Sequence, residues 1–157
     1  MSGARPAPAG CDFPVALIFD LADGEGMRVS FHRLPGNRYH STAERADGVT
    51  VFVPGYDRAA KIPHDLVHFV VERELRLRCG VWGTIASGGM FRNMKVISGR
   101  QGPHPAERSK EVLRTHGAAL TAAEALAAFF ADLLELDTAE RPERLLADFR
   151  RRADGLP

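Results

Sequence analysis

The run in this chain whose residue types and spacing best suit chemistry is Pro63-His64-Asp65-Leu66-Val67-His68-Phe69-Val70-Val71-Glu72. Two histidines four residues apart lie one above the other on a helix, which lets both imidazoles reach one metal ion. At about 100° per residue, His64, His68 and Glu72 fall at about 0°, 40° and 80°, with Asp65 beside them at about 100°. His64 and His68 are therefore the candidate metal ligands. Glu72 is a candidate third ligand or base, and Asp65 a candidate base. Eight residues of helix separate His64 from Glu72 by about 12 Å along the axis, so a three-ligand chelate from one straight helix is strained. A better chelate adds a group from elsewhere, for which His32, His40, Asp57, His104 and His116 are the candidates. The competing reading is structural. Histidines at i and i+4 often hydrogen-bond acidic neighbours, and an aspartate in a first turn suits the helix dipole.

The segment His64-Asp65-Leu66-Val67-His68 resembles the HExxH helix of the zinc metallopeptidases, or zincins, over five of 157 residues. The resemblance implies a zinc ion on the two histidines and a carboxylate base in the second position of the motif. Asp65 occupies that position with a side chain one methylene shorter than glutamate, which bears on peptidase action more than on metal binding. The longer run PHDLVHFVVERELRLRCGVWG is also similar to one in small uncharacterised bacterial proteins. That likeness extends over about residues 28–100 and implies no activity.

The elements that must position this strip follow from hydrophobic pattern. Leu66, Val67, Phe69, Val70, Val71, Leu75 and Leu77 occupy most of the remaining helix circumference, so a helix over Pro63–Leu77 should pack on more than one side. Pro63 suits its first turn and Cys79-Gly80 should close it. Upstream, Phe13–Leu21, Arg28–Leu34, Tyr39–Thr42 and Val49–Val53 read as strands, giving an antiparallel sheet of two to four members. Val81–Ala86 reads as a short helix, and residues 89–99 fix no period. Pro105 should open a helix that Gly117 stops. Thr121-Ala122-Ala123-Glu124 reads as a capping box for a helix reaching Leu136. Pro142 should begin a last helix with Leu145, Leu146 and Phe149 as its apolar stripe. The expected class is α+β: a small antiparallel sheet in the N-terminal half packed against a mostly helical C-terminal half. Residues 1–12 are expected as a flexible N-terminus, 13–152 as one domain and 153–157 as a tail.

Composition narrows the function classes. The chain has 45% hydrophobic and 26% charged residues, as globular domains do. Twenty-one basic residues, 18 of them arginine, balance 20 acidic ones to a net charge of +1, which argues against nucleic acid as a partner. Cys11 and Cys79 form no CxxC pair and read as free thiols. The apolar run Val15–Phe19 is too short for a signal peptide or a membrane span, so a cytoplasmic location is expected.

Other candidates are weaker. Ser87 and Ser98 lie outside any GxSxG elbow, and Cys79 could be activated by His68 only if the helix end folds back, so it reads as a buried, inert thiol. Gly80, Gly83, Gly88 and Gly89 near Trp82 suit helix ends or the border of a pocket. Arg92, Lys95 and Arg100 with Phe91 suit an ordinary surface or a small anion-binding face. Two functional classes stand. One is a metal-dependent, hydrolase-like enzyme that carries zinc and acts on a small molecule or peptide. The other is a non-catalytic interaction or structural domain without metal, with a homodimer through the C-terminal helices as a further expectation.

Overall fold

The computed structural model describes residues 15–20, 26–56, 62–135 and 151. Within them the chain is α+β. Strands β1 (Val15–Asp20), β2 (Gly26–Leu34), β3 (Arg38–Glu44) and β4 (Thr50–Pro54) form an antiparallel meander. Helices α1 (His64–Glu74) and α2 (Val81–Ala86) follow. The chain then returns as β5 (Lys95–Ser98), which pairs antiparallel with β4 at the sheet edge. Helices α3 (Pro105–Thr115) and α4 (Gly117–Glu135) complete the order.

Alternation along the strands decides which face is covered. Met27, Val29, Phe31, Ala43, Val51 and Val53 point one way and are buried. The residues between them, including Arg28, His32, His40, Thr42 and Phe52, occupy the other face. The buried face meets Phe69 of α1 and Trp82 and Ile85 of α2 in one cluster. Phe31, Phe69 and Trp82 meet edge to face with centroids 5.7–6.0 Å apart, an arrangement that adds to their area burial. On the other side of α1, Val67 and Val71 pack with Ala127, Leu126 and Ala131 of α4. α1 is thus clamped between sheet and α4, as its wide apolar circumference requires.

Four departures from the sequence expectation have local causes. The sheet has five strands rather than two to four. β5 shows no alternation because only Val96 along it is partly covered. α1 ends at Glu74 rather than Leu77, where Arg76 turns the backbone left-handed at φ +55°. Gly117 opens α4 instead of ending a helical region. It takes no positive φ, and the Leu120 N–H donates to the His116 carbonyl across the junction. Thr121–Glu124 is therefore interior helix rather than a cap, with the Thr121 hydroxyl donating to the Gly117 carbonyl at 3.1 Å. The helix expected from Pro142 lies outside the described residues, as do Asp57 and Cys11; Cys79 is a free thiol.

By length and composition, α4 holds one stretch, Gly117–Leu134, long and apolar enough to cross a membrane. In this fold its middle carries Glu124, and its Ala127 side packs along α1.

Candidate metal centre

The first turn of α1 and the second turn of α4 face each other across the small residues Ala123 and Ala127, which are 1% and 0% exposed. This close approach brings Glu124 onto the histidine strip. Glu124 Oε2 lies 3.2 Å from His68 Nε2 and 3.4 Å from His64 Nε2, and the two Nε2 atoms are 3.2 Å apart. The three atoms form a nearly equilateral triangle. A tetrahedral ion with bonds of about 2.0–2.1 Å has ligand–ligand edges of about 3.3–3.4 Å, so the triangle has the size of one face of such a site. His64, His68 and Glu124 can hold a metal ion.

Electron pairs sharpen the point. Glu72 is fully buried and accepts three N–H groups. Its Oε1 takes the Val81 backbone N–H at 2.8 Å and faces His68 Nδ1 at 3.2 Å, while Oε2 takes the Trp82 N–H at 2.9 Å. With both oxygens already accepting backbone N–H groups, Glu72 acts as acceptor toward His68 Nδ1, so a neutral His68 keeps its lone pair on Nε2. That lone pair faces a carboxylate oxygen and a second imidazole nitrogen. The three atoms therefore need a hydrogen or a metal ion among them. In the metal-free chain a proton on His68 supplies it. Burial opposes that charge, but hydrogen bonds to Glu124 and Glu72 outweigh it and raise the His68 pKa to about 9. The bond to His68 in turn holds the Glu124 carboxyl below the usual carboxylate range, against partial burial.

Asp65 is one residue from His64. Burial raises its carboxyl to about 6, with His68 and His64 pulling the other way. Its Oδ2 is buried and meets no hydrogen-bond partner among the described residues. The Asp65 backbone carbonyl accepts the Trp82 indole N–H at 3.0 Å, which locks the first turn of α1 against α2.

Gly80 is what lets Glu72 close on the start of α2. A Cβ there would lie 2.6 Å from both carboxylate oxygens, so any larger residue displaces the acid. The two N–H groups that Glu72 accepts are among those a helix start leaves without a backbone partner.

Of the sequence candidates, the structure brings His64 and His68 together, and the charges of both histidines act on the buried Asp65 carboxyl. Glu72 stands behind His68, on Nδ1, rather than in the triangle. Among the described residues, none of the other third-ligand candidates reaches it. His32 and His40 stack on each other on the far face of the sheet, at 4.6 Å between centroids. His116 pairs with the Thr84 hydroxyl at 2.9 Å, and His104 is an exposed residue preceding α3. Glu124, the residue that completes the triangle, was read from sequence as half of a capping box. The signal that could have found it is a carboxylate flanked by alanines in the first half of an apolar helix.

No protein-family model, curated protein or solved structure matches this chain.

Proposed function

We propose that the protein is a metal-dependent hydrolase with one zinc ion held by His64 Nε2, His68 Nε2 and Glu124 Oε2. The observation that carries this reading is the convergence of those three atoms, 3.2–3.4 Å apart, from two helices. Two imidazoles and one carboxylate are a donor set that suits zinc. His64 and Glu124 have side chains 35% and 58% exposed, so one side of the triangle faces solvent. Three protein ligands with an open side favour a catalytic over a closed structural site. A zinc ion there would supply Lewis acidity and lower the pKa of a bound water.

The chain's own residues supply the rest. Asp65 is the general base: it takes a proton from the attacking water and delivers it to the leaving group. Its buried, unpartnered Oδ2 and raised pKa keep it a stronger base than an exposed aspartate. Glu72 holds His68 in the tautomer that presents Nε2, the role of a carboxylate behind a metal-bound histidine. The substrate class is a peptide or small ester, in keeping with the likeness of His64–His68 to the zincin helix.

The test is an Asp65→Asn variant assayed beside wild type on a panel of peptides and esters. The variant should keep its metal while kcat falls by about 10²–10⁴, the usual worth of a positioned base. Equal turnover in both would remove Asp65 from the mechanism. Stoichiometric metal with no turnover by wild type would instead leave the ion as a clip joining α1 to α4.

A further inference from the structure

A second cluster of polar groups lies away from the metal triangle, where the β3–β4 turn meets the end of α2 and the start of α3. Arg45 follows β3 directly, and its side chain is only 4% exposed. Asp47 engages one edge of its guanidinium: Nε donates to Oδ1 at 3.1 Å, and Nη2 pairs with Oδ2. The other end, Nη1, is buried and meets no acceptor among the described residues. A buried guanidinium N–H without an acceptor is rare, because desolvating it costs much and nothing is returned.

Arg45 also lines a cleft of about 350 Å³, together with Ser87, Gly88, Gln101, Arg108 and Glu111. Gly88 has φ +97°, which disfavours any side chain. A Cβ there would stand 3.9 Å from Nη1. Arg108 is exposed and makes no ion pair among the described residues. The two acids of the cleft are already committed. Asp47 is bound to Arg45 and to the Val49 N–H, and Glu111 to Arg114 and Thr115. Charge pairing within the cleft therefore leaves Arg108 as the unmatched cation on a cleft that Arg45 also lines. The exposed start of α3, where Pro105 is the first residue, opens on the same cleft and adds the favourable end of a helix dipole.

We propose that this cleft is an oxyanion site, in which Arg45 Nη1 and the Arg108 guanidinium hold a phosphate or carboxylate group of a small ligand. Guanidinium suits both through paired N–H···O bonds. Asp47 fixes the orientation of Arg45 and does not touch the ligand. The site does not depend on the metal reading.

The experiment is calorimetric titration of chelator-treated, desalted protein with inorganic phosphate, and separately with acetate, at constant chloride. Chelation removes any contribution from an ion on His64. One saturable equivalent is expected for phosphate, weakened about tenfold or more in Arg108→Gln, as loss of a charge-assisted bond predicts. Arg45→Gln should abolish binding in a chain that circular dichroism shows to be folded. If that variant does not fold, Arg108→Gln carries the result. Saturation by acetate with the same arginine dependence would support the site and assign it to carboxylates. No saturable heat from either anion in the millimolar range, or binding indifferent to both substitutions, overturns the proposal.

Discussion

His68 sits between two carboxylates, and that position governs its chemistry. In the metal-free chain its pKa is raised from 6.5 to about 9. A raised folded-state pKa contributes stability that is fully present below the unfolded value and lost as pH rises through the folded one. Metal-free protein should therefore lose stability between about pH 6.5 and 9, and the loss should be absent from His68→Gln. Urea midpoints measured across that range on chelated samples check it. Glu72 offers a second prediction at this scale. Removing its carboxylate in Glu72→Ala strands the Val81 and Trp82 N–H groups in the core. Each should cost about 1–3 kcal/mol, read as a drop in unfolding free energy. Glu72→Gln keeps most of the volume but loses the hold on His68 Nδ1. Zinc affinity in that variant should fall about 10–100-fold in a competition titration.

The elements show why these residues meet. α1 is pinned at its start by the Trp82 indole on the Asp65 carbonyl, along its length by Phe69 in the sheet core, and near its end by Glu72 on α2. Gly80→Ala should push the Glu72 carboxylate off the α2 start and destabilise the fold by about 1–3 kcal/mol, visible in thermal melts. His64 and His68 were legible in the sequence because their pairing is local: two residues on one helix, with a period that fixes their angle. The wide apolar circumference of α1 likewise foretold packing on both sides. Glu124 was not legible, since its place depends on how closely α4 lies on α1 across Ala123 and Ala127, a tertiary distance that helical period does not encode. The same applies to β5. Its strand character comes from pairing with β4 rather than from alternation of its own, and residues 89–99 carry no period to announce it. Glu72 shared the polar strip with the histidines, so period alone put it with the ligands. Only the return of the chain at Gly80 turns it toward α2.

Over the whole molecule, the His64–His68–Glu124 triangle joins α1, packed on the sheet, to α4, which also meets α1 through Leu126, Ala127 and Ala131. An ion bound by both should stabilise the chain as a unit. Zinc at about a thousand times its Kd contributes about 4 kcal/mol, or on the order of 10 °C in Tm for a chain of this size. Glu124→Gln should lose most of that increment, and its metal-free form should also lose the part of its stability that His68 draws from Glu124, so the shift on adding zinc is the readout. The measurement that bears most directly on the central claim is metal content by elemental mass spectrometry of untagged protein after zinc loading and desalting. Wild type would be compared with Glu124→Gln and with the His64→Ala/His68→Ala double variant. Close to one equivalent of zinc in wild type, lost in both variants, is the predicted result. A folded wild type that keeps no metal, or an equivalent that persists when the ligands are removed, would contradict the account.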